Sequence, residues 1–482
     1  MKSVKVLKFL LPFALWCFLY RGFLWGSYSV SEDTFAIYAV AKYFWTHMVM
    51  GIFPFWNPYV LWGMGHMVQF GEYNPVWLLI PVLNALGTGF YHAFLWTVVI
   101  YFFTGCWGAY LLFKMVVQDK RWAYLGFIFF LFSAIGMTIF TQVTTLLLFI
   151  PVVWFFYFLV RFLQTPSIGC ALAISVALML IATTYIPFYF ATAMLCLTAL
   201  FIVIYPCQVK SSINQTIHFA GRHKQVVLLC LAAVLLACAA AFLNWKHLSS
   251  NFIVGARPSS LSYAMIKDSG IPLSEVLRDP SLFSMFFYSL HNHMLNYARE
   301  IFSLDHIAYD DQRIFYIPVV AHALLLVSII VPLNKRIFFL VLSCFALFLI
   351  AVVKLTPVYH VLFNVLPYLH FFRNIFLFIP FIIIAYLMLM LEQMRSLLLI
   401  TRDRNYFLLA WSVLILGAFL WFWYPSVGTL KTTWISAGGL LFLLILRFSG
   451  ILKSQNILWW IILVCLAVIQ PIEVLSAHAR QF

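Results

Sequence analysis

Asp33 stands in the string Ser31-Glu32-Asp33-Thr34, just ahead of an apolar and aromatic stretch from Phe35 to Met50. A carboxylate held there can serve as a general base, taking the proton of a hydroxyl as that hydroxyl attacks. The same string also reads as a helix start, because Ser and Thr cap exposed amides and acids suit the positive end of the helix dipole. Both readings stay open from spacing alone. His66 and Glu72 follow in a segment dense in Pro, Gly and Trp, where a continuous helix is excluded. They read as the polar lining of a cavity wall or as plain interfacial residues. Further along, Arg257, Arg299 and Arg373, with His370 close to the last, supply cations. A guanidinium binds phosphate through two parallel hydrogen bonds, so these groups suit a phosphate presented at a membrane surface. Arg373 suits equally a snorkelling anchor at the hydrocarbon edge.

A metal is the other chemistry that the residue types allow. His291-Asn292-His293, with Asp305, His306, Asp310 and Asp311, has the ligand types for a divalent cation, but the spacing matches no familiar site, so metal dependence is left open. The nine Cys all lie inside or beside apolar runs without a Cys-x-x-Cys pair, which argues against a disulfide framework or a thiolate metal site.

These residues must be positioned by a very apolar chain. Of 482 residues, 65% are hydrophobic, 19% aromatic and 9% charged, and the mean hydropathy is +1.01. So few charges cannot cover a soluble surface, whereas a bilayer accepts the surplus provided that the backbone is satisfied within helices. The expected fold is therefore all-α and polytopic, a single integral-membrane domain over residues 1–482. Thirteen apolar runs of about 20 residues are spanning candidates, near 7–26, 90–113, 122–140, 143–162, 168–186, 188–206, 225–244, 313–332, 337–353, 374–391, 406–424, 433–449 and 457–474. The first is preceded by Lys2, Lys5 and Lys8 without a following small-residue cleavage site, and reads as a retained anchor.

With odd-numbered runs leading outward, the inner segments hold 17 of the 29 Lys and Arg against 3 of the 14 acids, Asp119, Glu392 and Asp403. Nearly all of the net +15 thus lies on one side, as expected of cytoplasmic loops, with the N-terminus cytoplasmic. This accounts for the basic balance without nucleic acid, for which no motif is present. The longest inner loop, 207–224, is polar and basic and reads as a solvated face. Two outer segments, 27–89 and 245–312, exceed what a connector needs, and the first is expected to hold an interfacial aromatic helix. A short re-entrant or interfacial helix is expected over 357–371.

The order of Asp33, the aromatic stretch, Gly51-Ile52-Phe53-Pro54-Phe55-Trp56-Asn57-Pro58-Tyr59, the Gly-rich turn at 63–65 and Tyr73-Asn74-Pro75 resembles the start of YfhO-type bacterial membrane proteins, of the GT-C superfamily of integral-membrane glycosyltransferases. Pro280-Ser281-Leu282-Phe283, Leu366-Pro367 and Phe372-Arg373-Asn374 extend the resemblance. It implies a GT-C-like fold in the bacterial inner membrane. It also implies transfer of a sugar from a polyprenyl-phosphate donor to an envelope glycan, lipid or protein acceptor on the outer face, with Asp33 matching the family's base and Arg373 its arginine. Some superfamily members use a divalent metal and others none. The chain departs from the pattern in having Thr34, Phe35, Ala36 and Ile37 where a Gln is usual, and in lacking the family's extended soluble C-terminal region, which leaves the acceptor open.

The alternative is a transporter or flippase for a lipid-linked saccharide. That function calls for ionisable groups near the middle of several spans. Arg21, Lys42, Arg313, Lys354, Arg373 and Lys431 instead fall at outer ends, which favours a one-sided enzyme site. A structural or assembly scaffold, which would depend on no single carboxylate, is a third reading.

Overall fold

The computed structural model describes residues 2–26, 28–52, 56–57, 64–65, 74–182, 187–251, 317–353, 378–399, 438–444, 446 and 460–469. The described chain is almost entirely helical. Its helices are α1 (Lys2–Leu19), α2 (Arg21–Leu24), α3 (Glu32–Val49), α4 (Leu79–Leu83), α5 (Phe90–Val117), α6 (Lys120–Leu131), α7 (Ala134–Met137), α8 (Val143–Gln164), α9 (Ile168–Ala182), α10 (Pro187–Ile204), α11 (Pro206–Arg222), α12 (Lys224–Asn251), α13 (Val319–Val327), α14 (Lys335–Val353) and α15 (Ile379–Leu399). The exception to an all-α chain is a minimal antiparallel ribbon, β1 (Trp56–Asn57) with β2 (Met64–Gly65), pairing Trp56 with Gly65 and Asn57 with Met64.

The expectation of thirteen spans needs correction. Among the described residues three helices are long and apolar enough to cross a membrane, Phe90–Val117, Val143–Gln164 and Pro380–Leu397, and five if each of two bent pairs counts as one span. Composition detects apolar runs, but backbone breaks divide them. The run at 7–26 is interrupted at Tyr20, between α1 and α2. The run at 122–140 is bent by 47° between α6 and the helical turns of 134–140. The run at 225–244 lies within α12, and within the described residues those at 168–186, 313–332 and 457–474 hold the shorter apolar helices Ile168–Ala182, Val320–Ile330 and Trp460–Ile469. The run at 406–424 lies outside the described residues.

At the centre, α5 is 28 residues long, about 42 Å at 1.5 Å per residue, enough to cross a hydrocarbon layer of about 30 Å. It packs against α6 and α8. A Cβ on Gly105 would come within 2.7 Å of Ile150, so the glycine is what allows α5 and α8 this approach, the usual means of close helix contact in lipid. The opposite condition holds at the rim. On α10 and α12, Leu195, Val203, Leu229 and Leu236 are each at least 64% exposed. Water would penalise such a belt of aliphatic side chains, and lipid does not. The helical architecture with this belt is that of a membrane protein.

The two ends of α1 fix which parts of the bundle lie together. At one end the Tyr124 hydroxyl donates to the Lys8 carbonyl at 2.7 Å, and Phe9 packs edge-on against Phe127 at 4.9–5.5 Å from its neighbours Tyr110 and Tyr124. At the other end Trp16, Tyr20 and Phe23 gather around Phe140, with Phe23 and Phe140 stacked at 4.5 Å. The alternation expected for the first four apolar runs is consistent with this arrangement, because Lys8 and Tyr124 share one end and residues 20–34 and 138–143 share the other.

Two sequence expectations about connections change. The solvated loop expected at 207–224 is the helix α11, set at 112° to α10. Pro206 takes the first helical position after Tyr205, whose φ of −125° and ψ of 50° leave the helical region. The aromatic stretch after Asp33 is the helix expected, and it starts at Glu32.

Candidate functional site

Of the residues singled out for chemistry, the structure places the backbone of Asp33. His66, Glu72, Arg257, Arg299, His370 and Arg373 lie outside the described residues, as do the His291 to Asp311 cluster and the 357–371 segment. Which of them the fold brings to Asp33 is therefore not assigned.

Asp33 is the second residue of α3, and the turn that carries it is held from outside its own helix. Ser31, extended at φ −127° and ψ 176°, makes no side-chain cap. Its amide instead donates to the Phe140 carbonyl at 3.3 Å, and the Thr34 amide donates to the Thr141 carbonyl at 3.0 Å. The Thr34 hydroxyl, fully buried, donates to the Ile139 carbonyl at 3.3 Å and accepts from the Val143 amide at 2.9 Å. Amides at two helix starts, those of α3 and α8, are thus satisfied by one tightly joined crossing. Such amides have no partner within their own helices and must find one elsewhere. The cap expected of Ser31 is replaced by these backbone contacts.

The segment that receives Thr34 is itself constrained. Gly136 lies so close to the preceding turn that a Cβ there would meet the Leu131 carbonyl oxygen at 2.2 Å and Trp16 Nε1 at 3.2 Å. Gln142, 5% exposed, starts the next helix, and its amide donates to the Thr138 carbonyl at 2.6 Å. Beneath the crossing, Trp16 is fully buried, and its Nε1 has no hydrogen-bond partner among the described residues.

The packed stripe of α3 runs through Thr34, Ile37, Tyr38, Ala41 and Trp45, at helical spacing. Tyr38 meets Tyr91 and Phe94 of α5 edge-on, each at 5.4 Å. Phe35, Val49 and Met50 are exposed, and Gly51, at φ +74°, turns the chain out of the helix. Farther along, the motif residue Asn74 accepts from the Val76 amide at 3.1 Å, starting the turn over Pro75–Leu78, and donates to the Tyr101 hydroxyl at 3.0 Å. Trp56-Asn57 of the first string and Met64-Gly65 of the Gly-rich turn meet as the β1–β2 ribbon.

Sequence reasoning missed a second polar feature. In the seam between α13 and α15, His322 Nδ1 lies 2.5 Å from the Tyr386 hydroxyl, and Ser328 donates to Gln393 Oε1 at 3.2 Å. His322, Ser328 and Gln393 are each at most 5% exposed. The signal of this feature in the sequence is a lone His in an otherwise aliphatic stretch, a fainter mark of a mid-span polar group than an acid or a strong base. At the Lys8 end, Glu392 sits between Arg336 of α14 at 3.9 Å and Arg395 at 3.7 Å.

Among the described residues no group of three or more His, Cys, Asp or Glu is placed to hold a metal. Compared with protein-family models and with curated proteins, the chain matches none.

Proposed function

We propose that this chain is an integral-membrane glycosyltransferase of the GT-C type, moving a sugar from a polyprenyl-phosphate donor to an acceptor hydroxyl at the membrane surface. The observation that carries the reading is the seating of Asp33. The one turn of the first long loop with an acid matching the resembled family is fixed by hydrogen bonds to residues 139–143. A capping role alone would not require that crossing, whereas a base must be held to a fraction of an ångström.

The acceptor hydroxyl attacks the anomeric carbon, and Asp33 takes its proton. The bond from that carbon to the phosphate oxygen breaks, and polyprenyl phosphate leaves with the electron pair. Arg373 stabilises the phosphate charge, assisted by Arg257, Arg299 and His370, with His66 and Glu72 as further candidates for binding substrate. Direct displacement inverts the anomeric centre.

Asp33→Asn tests this. At the second position of α3 a carboxylate that serves only the helix acts through the dipole, so its change to Asn would cost about 0.3–1 kcal/mol of stability, whereas loss of a base costs roughly 10²- to 10⁴-fold in rate. The variant is expected to insert normally and to transfer little or no sugar, with Glu32→Gln nearly unaffected. Transfer at the parental rate by purified Asp33→Asn would remove Asp33 as base.

One observation favours a second reading, movement of a lipid-linked saccharide across the bilayer. The His322–Tyr386 pair is an ionisable group inside an apolar helix, the kind of feature the transporter reading calls for. If it holds, His322→Phe stops movement of a fluorescent lipid-linked saccharide in proteoliposomes and Asp33→Asn leaves it intact. The glycosyltransferase reading gives the reverse dependence in a transfer assay.

A further inference from the structure

We propose that α11 is a membrane-docking helix, lying in the plane of the leaflet at the Lys8 end of the bundle and seated on anionic phospholipid headgroups. The geometry comes first. The axis of α11 turns 112° from that of α10, so if α10 crosses the bilayer near its normal, α11 runs close to the membrane plane. It is pinned from within by Phe219, buried against Phe162 with ring centroids 5.1 Å apart. Breaks at Tyr205 and at His223, both outside helical backbone angles, set its two ends.

Its outer surface then divides into two sides. Ile213 and Ile217, one turn apart, are 53% and 63% exposed. Gln215 and Ser211, also exposed, lie on the other side of the helix, about 160° and 120° away from Ile217 at 100° per residue. Lys210, about 20° from Ile217 by the same reckoning, shares the aliphatic side, where its long stem lets the ammonium reach up to the headgroups. Beside spans whose own outer faces are aliphatic, the helix settles with Ile213 and Ile217 about 5–10 Å into the boundary between headgroups and acyl chains.

Charge selects the lipid. Lys210, Arg222 and Lys224 are exposed on or beside this helix, and no Asp or Glu occurs anywhere between Asp119 and Asp268. Basic residues at that depth are complementary to anionic headgroups and attract them over a Debye length. The occupant is therefore a leaflet containing phosphatidylglycerol or a similar anionic lipid, not a soluble partner.

The test uses the full chain with its native cysteines replaced and a single environment-sensitive fluorophore at Ile217→Cys or Gln215→Cys, in bilayers of phosphatidylcholine and phosphatidylglycerol. The label at 217 is expected to be quenched by a nitroxide at a shallow acyl position and shielded from aqueous iodide, and the label at 215 to show the opposite. At equal mole fraction, spin-labelled phosphatidylglycerol is expected to quench the 217 label about twofold more than spin-labelled phosphatidylcholine. That preference should disappear when Lys210→Gln, Arg222→Gln and Lys224→Gln are combined. Equal iodide access at 217 and 215 would overturn the docking. A label at 217 that is shielded from iodide but untouched by lipid nitroxides would overturn it in favour of a protein partner or a second copy. Equal quenching by the two lipids would overturn the anionic preference.

Discussion

Thr34 shows how one hydroxyl can hold the backbone of a helix start in place. It bridges Ile139 and Val143 from a fully buried position, so Thr34→Val keeps the shape and removes both bonds. Leaving buried backbone groups unsatisfied costs about 1–3 kcal/mol, and Thr34→Ser, which retains the hydroxyl, should cost less. Thermal unfolding in detergent should rank the parent above Ser and Ser above Val. If Asp33 is the base, glycosyl transfer should fall more steeply in the Val variant than its stability does. Little of this was legible beforehand. Asp33 and the helix behind it are visible as a polar string before an aromatic run, and Asn74 before Pro75 is a recognisable turn start. The partners of Thr34, however, are 105 and 109 residues away, and no local pattern announces them. His322 escaped for another reason. In sequence it is a single polar letter, and its meaning comes from Tyr386, 64 residues on.

At the level of elements, the break between α6 and α8 has the strictest demand. Gly136→Ala would drive a Cβ into the Leu131 carbonyl oxygen, a backbone atom that cannot swing aside. The expected cost is about 1–3 kcal/mol, seen as a lower unfolding midpoint, together with a displaced Thr34 crossing. Gly169, near the start of α9, meets nothing within 4 Å, so Gly169→Ala should be neutral or stabilising by a few tenths of a kcal/mol through helix propensity. Equal losses at both positions would argue that the bend is not fixed by packing. The long apolar elements α5 and α8 were readable from composition alone, because nothing else accommodates so many consecutive aliphatic residues. The element α11 was not. Averaged along the chain its apolar and polar letters cancel into a solvated loop, and only their separation onto two sides of a helix, set by the bend at Tyr205, shows an amphipathic segment.

For the whole molecule the distribution of charge predicts sides. A cysteine at 222 should be reachable by an impermeant reagent from the side that carries Lys8, and cysteines at 33 and 305 from the opposite side. Labelling of position 222 in intact cells would reverse the assignment and move the proposed site inside. The thirteen apolar runs were legible and the number of crossings was not, because hydropathy records the wish of a segment to leave water while bends such as the 47° turn after α6 decide how it does so. The Thr34 crossing also has a consequence in time. Asp33 is made early, but the amide that seats its helix belongs to Val143, 109 residues later in synthesis. At about 5–20 residues per second, roughly 5–20 s pass during which α3 has emerged without its seat. The seat of Asp33 is thus assembled in arrears, and a nascent chain arrested before Val143 should hold Asp33 in a segment open to protease.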